Sequence, residues 1–350
     1  MPRRVALVAV LALALVALAA VAGLAGCRKK VPVAKGPSPE LTGLAAVPST
    51  AEIVIGMDAA RLAGSPLVTR AIEMVLSREP DLATRWQALR ESCKLELDHV
   101  KRVMLAIGPP PPGGRIGTGP MVLIATGKIA EAELVTCVRQ IVGKGGGSIV
   151  VRNLGTRTLY QVTEGARTMF IAFGRPDTVI LGNNEAYVQE SVGDGKKALD
   201  NPELAEWLQK ADQDAPVWVV GRVSDRLRTG LVRASDSTLK AGPRAFLGTL
   251  DLTSGFAAEL VALMESPEDA KQLESLANIN LVGFSWAAQN ARLAKVVQKI
   301  KSRVDGATLR LSAPLTMDDV NRVLSALDGD QSPEQDSPPA GSAATPPAPQ

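Results

Sequence analysis

Twenty-two consecutive residues, Val5 to Gly26, carry no charged or strongly polar side chain, and beyond them the apolar positions of this 350-residue chain fall into short alternating or helical spacings. The alternation predicts a strand over Glu52 to Met57, and Ser65 with Pro66 in the first turn opens a helix. A second helix is expected over Leu82 to Cys93. Two strands follow, one ending at Gly108 and one over Met121 to Gly127, with the loop PPPPGGRIGTGP between them. In AEAELVTCVRQIV, Leu134, Val138, Ile141 and Val142 share one face at helical spacing. Four short strand patterns come next, SIVVRNL, TLYQVT, TMFIAF and DTVILG, and Glu185 to Val192 closes this part as a helix.

The second part repeats the pattern. Ile55-Gly56 followed by Arg61-Leu62 matches Val220-Gly221 followed by Arg226-Leu227, each at the end of an apolar strand that enters a helix. GKIAEAEL and MESPEDAKQL both open a helix after paired strands, the second with Ser266 as N-cap and Pro267 at the first position. TVILGNNEAYVQESV and TLRLSAPLTMDDVNRVL share a strand-then-helix pattern. The fold class expected is therefore α+β, two similar halves of antiparallel sheet with helices on one face, each a split βαβ-like repeat. The halves run over 44–195 and 196–329. From 330 to 350 the chain is rich in Pro, Ser and Ala, cannot build a core, and is expected to be disordered.

At a helical rise of about 1.5 Å per residue, the apolar run at the front would reach roughly 33 Å, enough to span a bilayer. Length alone leaves open a membrane anchor, an ordinary export signal or a lipidation signal. The positive Met1-Pro2-Arg3-Arg4 in front of it suits an export signal. At its end, Leu24-Ala25-Gly26-Cys27 resembles the bacterial lipobox, with a branched aliphatic residue, two small residues and a cysteine in the matching positions. That resemblance implies cleavage before Cys27 by lipoprotein signal peptidase, lipidation of Cys27, and a mature protein held in the bacterial cell envelope. Residues 1–26 are then a cleaved signal peptide. Arg28 in place of Asp after the cysteine resembles the enteric lipoproteins sorted to the outer membrane. Residues 27–43 read as a flexible basic tether whose Arg28, Lys29, Lys30 and Lys35 face anionic head groups. The body, with strands that end in Gly and lead to Arg-Leu, is similar to duplicated α+β lipoproteins of myxobacterial type.

Charge and composition narrow the chemistry. Loss of Arg3 and Arg4 from 39 basic side chains leaves the basic residues one ahead of the 36 acidic ones, which gives no electrostatic footprint for nucleic acid. Aromatics at 3% argue against stacking platforms. With Cys27 lipidated, Cys93 and Cys137 remain as an even pair in an oxidising compartment and are expected to form a disulfide. The single histidine, His99, sits at the mouth of a strand beside Asp98. Neighbours on a strand point to opposite faces, so that pair does not make a triad. No EF-hand spacing is present, and no metal or other cofactor is expected.

Ser237-Thr238-Leu239-Lys240 matches the S-x-x-K of penicillin-binding proteins, yet the companion K-T-G is missing. Gly143 to Ser148 lacks the first glycine of a phosphate loop and follows a helix, which fits a helix end better. No catalytic residue is assigned. The expectation is a lipid-anchored, non-enzymatic binding or scaffold module, joined to the membrane by its N-terminal lipid and meeting an envelope protein partner through loops such as Pro109 to Pro120. The alternative is a periplasmic carrier of a hydrophobic ligand, and a serine hydrolase built on Ser237 and Lys240 ranks third.

Overall fold

The computed structural model describes residues 41–93, 99–114, 117–235, 238–253, 255–289 and 294–328. The signal segment, Cys27, the tether as far as residue 40, Asp98, Ser237 and the tail from 329 onward lie outside them. Twelve strands form one antiparallel sheet. They are β1 (Ile53–Asp58), β2 (Val100–Ile107), β3 (Met121–Gly127), β4 (Ser148–Leu154), β5 (Arg157–Glu164), β6 (Arg167–Arg175), β7 (Thr178–Gly182), β8 (Val217–Arg222), β9 (Ala245–Asp251), β10 (Phe256–Leu263), β11 (Lys301–Asp305) and β12 (Thr308–Leu315). Across the sheet the order is β11-β12-β10-β9-β8-β1-β2-β3-β7-β6-β5-β4. The helices are α1 (Ala59–Leu62), α2 (Pro66–Arg78), α3 (Pro80–Cys93), α4 (Glu131–Lys144), α5 (Glu185–Val192), α6 (Pro202–Lys210), α7 (Asp225–Ala234), α8 (Pro267–Gln289), α9 (Ala294–Val297) and α10 (Met317–Asp328). The class is α+β.

Several elements begin and end where local chemistry directs. Ser65 caps α2 with its hydroxyl accepting from Val68 N, Pro66 fills the first turn, and Asn184 caps α5 by accepting from Tyr187 N at 3.0 Å. After α4, Gly146 takes φ +74° and Gly147 N donates to Val142 O at 2.8 Å, so the glycine run ends a helix and turns into β4.

The helices cover both faces of the sheet, not one. In β3, Val122 and Ile124 face a core that includes Tyr187 and Val188 of α5 and Leu204, Trp207 and Leu208 of α6. Leu123 and Ala125 face the other way, onto Val135, Val138, Ile141 and Val142 of α4. All four strand side chains are at most 2% exposed. The reason stands in the sequence itself: MVLIATG is a continuous apolar run, the signature of a strand covered on both sides, where a half-solvated strand would alternate.

The two parts of the chain join through β1 and β8, which pair antiparallel from Ile53 opposite Gly221 to Met57 opposite Val217. One core cluster draws on both, from Val54 and Ala106 to Trp218 and Val261. Because Gly221 lies opposite Ile53, the two share a face, and Gly56, three residues on, points to the other. Gly56 leaves room for the Trp218 indole and Gly221 for the Phe246 ring; a Cβ at either would collide with it. Matching Gly56 to Gly221 is therefore one residue out of step with the sheet. The order strand, helix, hairpin, helix, strands, helix occurs in both parts, and the hairpin β4–β5 is additional to the first.

Candidate functional site

On the face of the sheet that carries α4, the second part of the chain holds an apolar groove of about 410 Å³ between α7 and α8. The turn out of β8 builds its first wall. Ser224 caps α7 by accepting from Leu227 N, and the spacing then puts Leu227 and Leu231 on the side toward the groove. No residue of α7 is fully buried, and Leu227 stays 41% exposed. The second wall is α8. Its cap is reciprocal: Ser266 Oγ accepts from Asp269 N at 3.1 Å and donates to Asp269 Oδ2 at 2.6 Å. Leu273 and Ala277, four residues apart, line the groove from there.

Phe246, Leu260, Ala262, Leu309 and Leu311, from β9, β10 and β12, make the floor, and Val223 and Pro243 complete the lining. Every lining side chain among the described residues is apolar. Leu239, Met264 and Ala270 close a small core beside the groove, with Ser235 Oγ accepting from Leu239 N at 3.0 Å to fix the turn after α7. An ion pair from Arg228 of α7 to Glu265 at the start of α8 ties the two walls together. At the far side of α8, Ser302 Oγ of β11 donates to Glu274 at 3.1 Å.

The matching face of the first part is closed. Cys93 at the end of α3 and Cys137 in α4 form a disulfide, with Cα atoms 5.3 Å apart and a sequence separation of 44. Tyr160 of β5 donates to Glu131 Oε1 at the start of α4 at 2.8 Å. Burial first, and that bond second, push the phenol well above its ordinary pKa, so it stays a protonated donor. Its ring meets Phe173 edge-on, with centroids 6.4 Å apart. Val135, Cys137, Val138, Ile141 and Val142 of α4 are all buried in one cluster with strand side chains of β2, β3, β5, β6 and β7.

His99 precedes β2, and its carbonyl accepts from Lys128 N at 2.8 Å, a backbone tie between strand and helix approach. Lys240 is exposed and its backbone N donates to Gln272 Oε1 at 3.4 Å; Ser237 and Cys27 lie outside the described residues. The loop 109–120 is pinned at its base by Gly108 N donating to Pro120 O at 2.8 Å. Among the described residues no group of three or more His, Cys, Asp or Glu side chains could hold a metal. Apart from Leu227 in the repeated Arg-Leu pattern, the groove residues carried no motif. Their one signal was Leu227 and Leu231 on a helix otherwise rich in arginine, set against small residues such as Ala262 and Ala277.

No protein-family profile matches the chain, and no curated protein is similar to it. Among solved structures, crystal form I of TP0453 resembles 84% of this chain and 99% of its own, at 12% identity and a TM-score of 0.45. A likeness at that level carries no argument about function.

Proposed function

We propose that this chain is a lipid-anchored envelope protein that binds a hydrophobic ligand in the groove between α7 and α8, with no catalytic role. The observation that carries the binding is the groove: about 410 Å³, lined among the described residues by apolar side chains, between two helices and a sheet. That volume lies in the range of small-molecule sites, and an apolar cleft of this kind discriminates by shape and burial. A ligand with an apolar body, such as an acyl chain, gains about 25 cal/mol for each Å² it removes from water. Among the described residues nothing polar lines the groove to hold a head group, so a polar end would remain outside it.

The anchor rests on Leu24-Ala25-Gly26-Cys27 behind the apolar run. In the described residues no helix is long and apolar enough to cross a membrane. Acyl chains on Cys27 would hold the body at the bilayer at about 0.8 kcal/mol per buried methylene. A carrier in that position meets its ligand where acyl chains are concentrated.

The test is to purify the full chain from bacterial envelopes in a mild detergent and examine it by mass spectrometry. An N-terminal peptide beginning at an acylated Cys27 is expected, together with an apolar molecule released in stoichiometric amount on organic extraction. An intact Met1 to Gly26 segment would sink the anchor, and an empty groove that also rejects added fatty acids would sink the carrier.

A further inference from the structure

Among the described residues the sheet has two free edges, and they are built differently. β11 is five residues long, with Lys301, Arg303 and Asp305 all exposed along it. Charges of that density keep another strand from adding. β4 is seven residues long and has neither proline nor glycine in it. Its one charge, Arg152, is held by Glu185 at 2.8 Å. Val150 is 48% exposed and Val151 39%. Neighbours on a strand point to opposite faces, so this edge presents an apolar side chain on each face along with an unpaired row of backbone groups.

We infer that β4 is a self-association edge: two copies pair β4 against β4, antiparallel, about a twofold axis at Val151. In that register Val151 meets its own counterpart, Val150 lies against the aliphatic stem of Arg152, and Ile149 lies opposite Asn153. No two like charges face each other, whereas centring one residue later would set Arg152 against Arg152. The sheet already joins its own two parts by antiparallel pairing of β1 and β8, and the dimer extends that arrangement across copies. One open edge and one guarded edge give a closed pair and stop growth into a fibre. β4 lies at the opposite end of the sheet from β11 and β12, beside which the groove is built, so this inference and the ligand reading stand or fall separately.

The full chain carrying Val151→Cys, oxidised in isolated envelopes, should give a disulfide-linked dimer. Wild-type chain and Arg303→Cys on β11 should give none, which controls for the native cysteines. Sedimentation equilibrium of the wild type in detergent should show a monomer–dimer equilibrium at micromolar concentration. Val151→Lys, which sets two ammonium groups face to face, should raise the dissociation constant at least about tenfold with unchanged circular dichroism. A wild type that remains monomeric, equal crosslinking from Arg303→Cys, or a Val151→Cys crosslink to a different protein would each overturn the inference; the wild-type mass and the crosslink decide it even if Val151→Lys fails to fold.

Discussion

The helix pair α3–α4 and the helix pair α7–α8 lie on the same face of one sheet and reach opposite ends. α4 packs over β4 and β5 and shares a core cluster with β2 and β3, with five buried side chains, a disulfide to α3 and a hydrogen bond from Tyr160 at its start. α7 buries nothing completely, is tied to the start of α8 by a surface ion pair, and leaves a groove of about 410 Å³ beside it. A surface ion pair contributes little, about 0–1 kcal/mol. A disulfide closing a loop of this length contributes on the order of 4 kcal/mol in the chain-entropy account. The stapled pair is a packed wall, and the loosely tied pair borders a groove, which on the proposed reading would admit a ligand without unfolding the whole.

Breaking the staple should have the largest effect. Cys93→Ala with Cys137→Ala should lower the stability against urea by about 3–4 kcal/mol, while groove binding is retained if the two ends are independent. Truncation should then separate the walls. Ile141→Ala in α4 should cost about 3 kcal/mol, because its side chain is 7% exposed and the cavity cannot collapse under a stapled helix. Leu273→Ala in α8 should cost less, about 1–2 kcal/mol, since its side chain is only partly buried, between the Leu239–Met264 core and the open groove. Equal losses would mean the groove is as tightly packed as the core. Tyr160→Phe comes next, at about 1–2 kcal/mol from the lost bond to Glu131, read from the same urea curves.

The smallest effect concerns pH. Asp319 caps α10, where Lys299 and then Thr316 hold its carboxyl well below the usual carboxylate range. A lowered carboxyl pKa contributes stability at neutral pH that is lost as the pH falls below about 4. Hydrogen exchange in α10 should therefore accelerate in that acid range, before exchange in α4 does. Asp319→Asn should already exchange faster at neutral pH and flatten the acid response. An acid response equal in the two helices would erase this difference between the parts.

How much of this was legible in the sequence varies with the reach of the interaction. β3, α4 and α5 lie close to where their patterns put them, because capping and periodicity act over a few residues. The Cys93–Cys137 pair was legible because, of the three cysteines, Cys27 was set aside as the expected lipid site and the other two left one partner choice. Coverage of both faces was present in MVLIATG and was outweighed by the alternation of neighbouring strands. The register at β1–β8 was not legible: it depends on Trp218 lying over Gly56, a contact between strands distant in the chain. The groove was hidden for a related reason. Leu227 matches Leu62 in the sequence pattern, yet Leu62 is 8% exposed in a packed cluster and Leu227 is 41% exposed at the groove. Only tertiary distance tells a core leucine from a lining one.

The most direct measurement is a fluorescence titration of the full chain with a long-chain fatty acid probe, comparing wild type with variants that fill the groove, Ala262→Trp and Ala277→Trp. Saturable binding at one site per chain, lost in both variants with circular dichroism unchanged, is the predicted result. Binding that survives both fillings undiminished would place the ligand elsewhere and contradict the account.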